Sequence, residues 1–260
     1  MAGEDFPSIA DGDMTHHFAL KASDLRDLID RTSFAVSTEE TRFYLNGIYL
    51  HEATSKEEKI LRAVATDGHR LACAEAVFPE GAAGMPGIII PRKAIGELSK
   101  LLAEESEDVK IDLSTYKIRF TFGDLVLTSL LIEGTYPDYE RVIPTENDKV
   151  MEVDAQALTT VVDRVSSLSE KSRAVRLTLS KDLVKVSAAN AEEGSAEDEL
   201  EVKYSADPID IGFNYVYLED VLKQIKGGLV QISFSDSASP TVLTDMSDPS
   251  VLFVLMPMRV

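Results

Sequence analysis

The stretch AVATDGHRLACAEA, residues 63–76, sets a carboxylate, a glycine, an imidazole and a guanidinium side by side at Asp67, Gly68, His69 and Arg70, between two apolar runs. Asp67 and His69 form a candidate acid–base pair, because an imidazole exchanges protons near neutral pH. At i, i+2 on a strand both would face one side only if the strand stays regular, and Gly68 between them argues for a bend. A catalytic zinc site needs three converging ligands. The chain has four histidines (His16, His17, His51, His69) and one cysteine, with no C-x-x-C, no H-E-x-x-H and no paired histidine spacing. His16 and His17 stand at the start of a strand pattern, where neighbours point to opposite faces. No metal is expected. Cys73, flanked by Leu71, Ala72 and Ala74, reads as a buried, inert thiol. Glycine-rich phosphate loops and the G-x-S-x-G elbow have no match, so no cofactor is expected either. What remains is recognition: Val64 and Leu71 anchor the strand, Gly68 lets the backbone turn, and His69 and Arg70 offer donors at a pocket edge.

The elements that position these residues can be read from pattern. A length of 260 residues suits two domains. Hydrophobic residues make up 44% and charged residues 27% of the chain, ordinary globular values, and no apolar run approaches the ~18–20 residues of a membrane span. The start, MAGEDFPSIADGDM, is acidic and lacks the features of a secretory signal; with the single cysteine this predicts a soluble, cytoplasmic protein. The formal charge of −19 argues against a surface that grips a polyanion everywhere, although a local cluster of basic residues is a separate matter. Part of the acid lies in AEEGSAEDELE (191–201), read as a solvated hairpin loop.

An internal repeat organises the rest. FALKASDLRDLIDRTS (18–33) lies over MEVDAQALTTVVDRVS (151–166) without a gap, pairing Asp30 with Asp163 and Arg31 with Arg164. IIIPRKAIGELSKLL (88–102) lies over IGFNYVYLEDVLKQI (211–225). Two domain copies follow, 14–138 and 139–260, with 1–13 as a connector. Helical spacing marks Leu25, Leu28, Ile29 and Thr32; Ile95, Leu98, Leu101 and Leu102; Leu158, Val161, Val162 and Val165; and Leu218, Val221, Leu222 and Ile225. Alternation marks strands in KIRFTF, VRLTL and VQISF. Ser23 and Asp24 are candidate helix-start residues and Gly227-Gly228 a candidate stop. The expected class is α+β, each copy carrying two helices on antiparallel sheets.

Four motifs carry a resemblance that covers the chain from about residue 4 to its end. ATDGHRLA (65–72), YPDYERVIP (136–144), RFYLNGIYL (42–50) and VLMPMRV (254–260) resemble the second and third domains of the bacterial sliding clamp, the beta subunit of DNA polymerase III. The resemblance implies the DNA-clamp fold and a non-enzymatic replication processivity factor. GEDFPSIADGD is similar to the connector that follows the family's first domain, so a fragment without that domain, and therefore a monomer, is expected; the full-length family is homodimeric.

The family captures short linear motifs in a groove between its second and third domains. The motifs run Gln, then Leu, then a terminal Leu-Phe pair. They are carried by the DNA polymerase III alpha subunit, other polymerases, the clamp loader, mismatch-repair proteins and ligase. By motif, one subsite here involves Leu45, Thr66, Gly68, His69, Arg70, Leu71, Pro137, Arg141, Val142, Val254 and Met256. Its neighbour involves Arg42, Asn214, Tyr217, Pro257, Met258 and Arg259. Helices line the family's ring, which encircles double-stranded DNA, and the implied DNA contacts are Arg26, Arg31, Arg92, Lys93, Lys100, Arg164, Lys171, Arg173, Lys223 and Lys226. Two other readings stand beside this one: an acid–base enzyme using Asp67 and His69, and a solitary DNA-binding module.

Overall fold

The structure, a computed structural model, describes residues 13–103, 107–168, 172–190 and 194–259. The chain folds as two units: residues up to Ala65 with Ala74–Tyr136, and Thr66–Cys73 with the chain from Pro137 onward.

Up to residue 136 the order is β1 (His16–Lys21), α1 (Ala22–Asp30), β2 (Gly47–Ser55), β3 (Glu58–Thr66), β4 (Arg70–Val77, its first four residues counted with the second unit), β5 (Ile88–Pro91), α2 (Arg92–Leu102), β6 (Asp108–Leu113), β7 (Lys117–Phe122) and β8 (Leu125–Leu130). One sheet runs β1-β6-β7-β8, and β4-β3-β2-β5 lie in a second. Alternation decides which side chains enter the core: Phe18 and Leu20 on β1, Val109, Ile111 and Leu113 on β6, and Ile118, Phe120 and Phe122 on β7 are buried. The helices close over them with apolar faces at helical spacing, Leu25, Leu28 and Ile29 on α1 and Ile95, Leu98 and Leu102 on α2.

The second unit repeats the plan with β9 (Lys149–Asp154), α3 (Ala155–Ser166), β10 (Ala174–Ser180), β11 (Leu183–Asn190), β12 (Gly194–Glu201), the short β13 (Lys203–Tyr204), β14 (Ile209–Asn214), α4 (Tyr215–Leu222), β15 (Leu229–Phe234), β16 (Thr241–Asp245) and β17 (Asp248–Leu255). Strands β12-β11-β10-β14 form one sheet, and β13-β9-β15-β16-β17 run in a second. The α+β class expected from the pattern, two helices on antiparallel sheets in each copy, is what the chain adopts.

Several local expectations are altered. The acidic run is a strand where it is described: residues 194–201 form β12, paired with β11 from Leu183↔Glu201 to Asn190↔Gly194. Its charges are tolerated because the strand lies at a sheet edge with Glu197, Glu199 and Glu201 exposed to water. Helix α1 begins at Ala22, ahead of Ser23 and Asp24, and has no side-chain cap. In the second unit Asp154 accepts the Ala157 N–H at 2.7 Å and Asn214 accepts the Val216 N–H at 3.0 Å, so both helices there carry true N-caps. Helix α4 ends at Leu222, before Ile225 and the Gly227-Gly228 pair, and the chain beyond it is pinned by Asp245. That buried carboxylate accepts the N–H groups of Lys226 (2.8 Å), Gly227 (3.0 Å) and Ser247 (2.9 Å). Residues 66–73, counted by sequence within the 14–138 copy, group with the second unit because their hydrogen bonds and ion pairs run to α4 and to the residue after β17.

Candidate functional site

The turn at residues 66–70 is built by two short polar side chains folding back on the backbone. Thr66 donates its hydroxyl to the Arg70 carbonyl at 2.6 Å and accepts the Gly68 N–H at 3.1 Å. Asp67 accepts the N–H groups of His69 (2.9 Å) and Arg70 (3.0 Å) on one oxygen, and the Arg70 Nε on the other (3.1 Å). Gly68 sits at φ +90°, a left-handed backbone that a side chain would strain. The Asp67 carboxylate is thus taken up in holding a turn. It serves as a scaffold, and the acid–base pairing with His69 is set aside.

From that turn Arg70 reaches α4. Its Nη1 donates to Asp220 Oδ2 at 2.6 Å, and its guanidinium carbon lies 4.4 Å from the centre of the Tyr217 ring. Tyr217 and Asp220, three apart, share a helix face, so one side chain is gripped by a ring and a carboxylate together. The Arg70 side chain is 11% exposed, which deprives the ion pair of much solvent screening. The His69 ring stacks near Tyr217 at 6.1 Å between centroids. The His69 carbonyl accepts the Met256 N–H at 2.9 Å, tying the turn to the tail.

The tail then presents apolar surface. Met256 is 40% exposed, while Val254 and Leu71 are buried. Val142, on the turn Tyr139–Val142, is 50% exposed, with Pro137 and Arg141 also at the surface; Arg141 Nε pairs with Asp138 at 2.7 Å. Met258 donates its N–H to the Gly212 carbonyl at 2.9 Å, fixing Pro257, Met258 and Arg259 along the edge of β14. Asn214 is committed to capping α4. Of the residues expected to bind a peptide, all but Arg42 and Leu45 belong to the second unit; those two lie in the turn Glu40–Leu45 of the first, where Arg42 pairs with Glu39 at 2.7 Å and Leu45 is buried.

One acidic group in this region is perturbed. Burial pushes the Glu219 carboxyl above the ordinary 4.5, the opposing pull of Lys223 being weaker. Sequence reasoning missed Asp220, although its i, i+3 relation to Tyr217 was a usable signal. The Gly212 carbonyl had no sequence signal.

The expected DNA contacts divide sharply. Arg92 and Lys93 are exposed at the start of α2, beside an open cleft of ≈ 500 Å³ also lined by Ser37, Thr38 and Asn46. Arg173 and Lys226 are exposed and Arg26 half-buried. Lys100 pairs with Glu97 at 3.0 Å, Lys223 lies 3.6 Å from Asp220, and Arg164 is bonded to Asp198. Arg31 is corrected: it is 2% exposed, buried just past the end of α1, and offers nothing to a phosphate. Lys171 lies outside the described residues. Among the described residues no three His, Cys, Asp or Glu side chains gather as metal ligands, and no helix is long and apolar enough to cross a membrane.

Two tandem units of this plan define a DNA clamp. The family model of the DNA polymerase III beta subunit central domain matches residues 19–138, and that of its C-terminal domain matches residues 140–259. The chain is 48% identical over 257 residues to the beta sliding clamp of Caulobacter vibrioides, covering 98% of this chain and 69% of that protein. It is 41% identical over 260 residues to that of Pseudomonas aeruginosa, covering 100% of this chain and 70% of the relative. A solved sliding clamp from Bartonella birtlesii, bound to griselimycin, superposes with a TM-score of 0.96 at 48% identity, covering 99% of this chain and 70% of that one. The chain belongs to the DNA polymerase III beta subunit family, the bacterial sliding clamps, which are replication processivity factors and not enzymes.

Proposed function

We propose that the cluster around Arg70, Tyr217 and Met256 captures a short linear motif, a Gln followed by Leu and a terminal Leu-Phe pair. By it the clamp holds the polymerase III alpha subunit, other polymerases, the clamp loader, mismatch-repair proteins and ligase on duplex DNA. The observation that carries this reading is the pairing of an exposed methionine with a rigid polar frame. Met256 is held by its own N–H on the His69 carbonyl, while Arg70 is locked by Asp67, Asp220 and Tyr217. A flexible thioether accommodates differing apolar anchors, and a preformed frame spares the ordering cost of binding. On the same reading the exposed Arg92 and Lys93 meet DNA phosphates, while the net charge of −19 keeps the rest of the surface off the duplex.

Fluorescence polarisation with a labelled Gln-Leu-x-Leu-Phe peptide tests the proposal. Saturable binding in the micromolar range, roughly −8 kcal/mol, is expected. Griselimycin, bound by the Bartonella relative, should displace the peptide. Absence of saturable binding at millimolar protein overturns the reading.

A further inference from the structure

Among the described residues, the sulfur that solvent reaches is thioether sulfur. The one thiol, Cys73, is buried, as are Met85 and Met151. Met14 and Met258 are half-buried, and the most accessible methionines are Met246, 46% exposed, and Met256, 40% exposed. Met246 lies in the turn between β16 and β17, its N–H on the Leu229 carbonyl at 3.1 Å. Met256 belongs to the candidate motif site. In the tail Met256-Pro257-Met258 the proline has no N–H, and the other two N–H groups are bonded to the His69 and Gly212 carbonyls, each at 2.9 Å. The main chain is thereby fixed at both methionines, and the Met256 thioether is open to small solutes as well as to a peptide.

We propose that Met256 makes the motif site sensitive to peroxide: oxidation of its thioether to the sulfoxide releases the captured motif, and reduction restores it. The proposal rests on the motif reading given above. The sulfur attacks one oxygen of hydrogen peroxide, and an S–O bond forms as the O–O bond breaks. Sulfur gives up two electrons, and the departing hydroxide takes the proton of the transferred oxygen and leaves as water. In the reverse direction a dithiol, acting through the two methionine sulfoxide reductases, one per epimer, removes the oxygen as water and becomes a disulfide. The sulfoxide puts a polar oxygen where the site had offered an adaptable apolar side chain. Covering that oxygen with a leucine or phenylalanine anchor takes it out of water without a replacement hydrogen bond.

The experiment treats the full chain with hydrogen peroxide, removes the peroxide and follows two readouts. Mass spectrometry of proteolytic peptides reports the oxygen gained at each methionine. Polarisation reports affinity for the labelled Gln-Leu-x-Leu-Phe peptide, with serine at x so that the probe holds no sulfur. Met246 and Met256 should gain oxygen ahead of Met85 and Met151, and unlabelled motif peptide present during treatment should shield Met256 while leaving Met246 reactive. Motif affinity should fall about tenfold in step with oxidation of Met256, the loss that follows removal of a central contact, and recover with the reductases and dithiothreitol. Met256→Leu sets its own starting affinity, which peroxide should not move; Met246→Leu should keep the parent's sensitivity. If Met256→Leu binds too weakly to titrate, the shielding and recovery measured on the parent decide alone. An oxidised chain that binds the motif as tightly as the untreated one overturns the proposal, as does a peroxide effect that survives in Met256→Leu or a motif peptide that leaves Met256 unshielded. If the untreated chain does not bind the motif, the motif reading falls and takes this switch with it; if it binds and only the peroxide effect is missing, the motif reading stands.

Discussion

Arg70 and Asp220, 150 positions apart in sequence, are joined by a 2.6 Å charge-assisted hydrogen bond, and the same guanidinium is stacked on Tyr217 and bonded to Asp67. The pair welds the 66–70 turn to α4 and thereby sets the direction in which His69 and Met256 face. In Asp220→Ala the guanidinium keeps Asp67 and Tyr217 but loses its anchor on the helix. Motif affinity should fall about tenfold, corresponding to roughly 1.4 kcal/mol, within the range for hydrogen bonds to charged groups. Arg70→Lys should do no better, because an ammonium cannot bond two carboxylates in the plane of a ring-stacked fork. Titration calorimetry of both variants checks this; unchanged affinity in either removes Arg70 from the frame.

Met256→Ala separates binding from folding. The side chain is 40% exposed, so its loss should leave the melting temperature within about 2 °C while weakening the motif peptide by tenfold or more. Leu45→Ala is a poorer probe, since the side chain is buried and truncation costs about 2–5 kcal/mol of stability whatever it does to binding.

Gly68 at φ +90° makes a backbone prediction. Gly68→Ala should lower stability by about 1–2 kcal/mol through left-handed strain. In parallel, motif affinity should drop because His69 is displaced from Met256. Urea denaturation beside polarisation measures both, and an alanine variant as stable as the parent would show that the turn relaxes elsewhere.

Glu219 yields a pH dependence opposite to that of a paired carboxylate. Burial raises its pKa in the folded state above 4.5, so between that value and the folded pKa the folded chain holds more protons than the unfolded one. Its contribution to stability is therefore undiminished below pH 4.5 and is lost as pH rises through the raised pKa. Glu219→Gln should be more stable than the parent at neutral pH, with the difference closing as the pH is lowered through that window. Thermal melts across pH 4 to 8, ~1 unit apart, would show it; parallel curves for the two proteins would refute the assignment.

Much of the architecture was legible because it is written in local periodicity and written twice. The apolar spacings at Leu25, Leu28 and Ile29 and at Leu158, Val161 and Val162 mark helices that the structure contains, and the repeat pairs the two. The β12 segment was misread because charge density resembles a loop, whereas an edge strand can carry a charge on every outward position. The resemblance implies Arg31 as a DNA contact, and only the packing around the end of α1 shows it buried. For the site, residue types named the right turn but could not say what each does. Asp67 folds onto its own backbone, a local bond that the Asp-Gly pair hints at, while the clasp by Asp220 is a long-range contact.

The grouping of 66–73 with the second unit has a consequence for dissecting the gene. Cutting after Tyr136 would yield a carboxy-terminal product in which Met256 has lost the carbonyl it bonds and α4 has lost the guanidinium that Asp220 and Tyr217 hold. Such a half-molecule would need the eight residues 66–73 grafted back to restore those contacts.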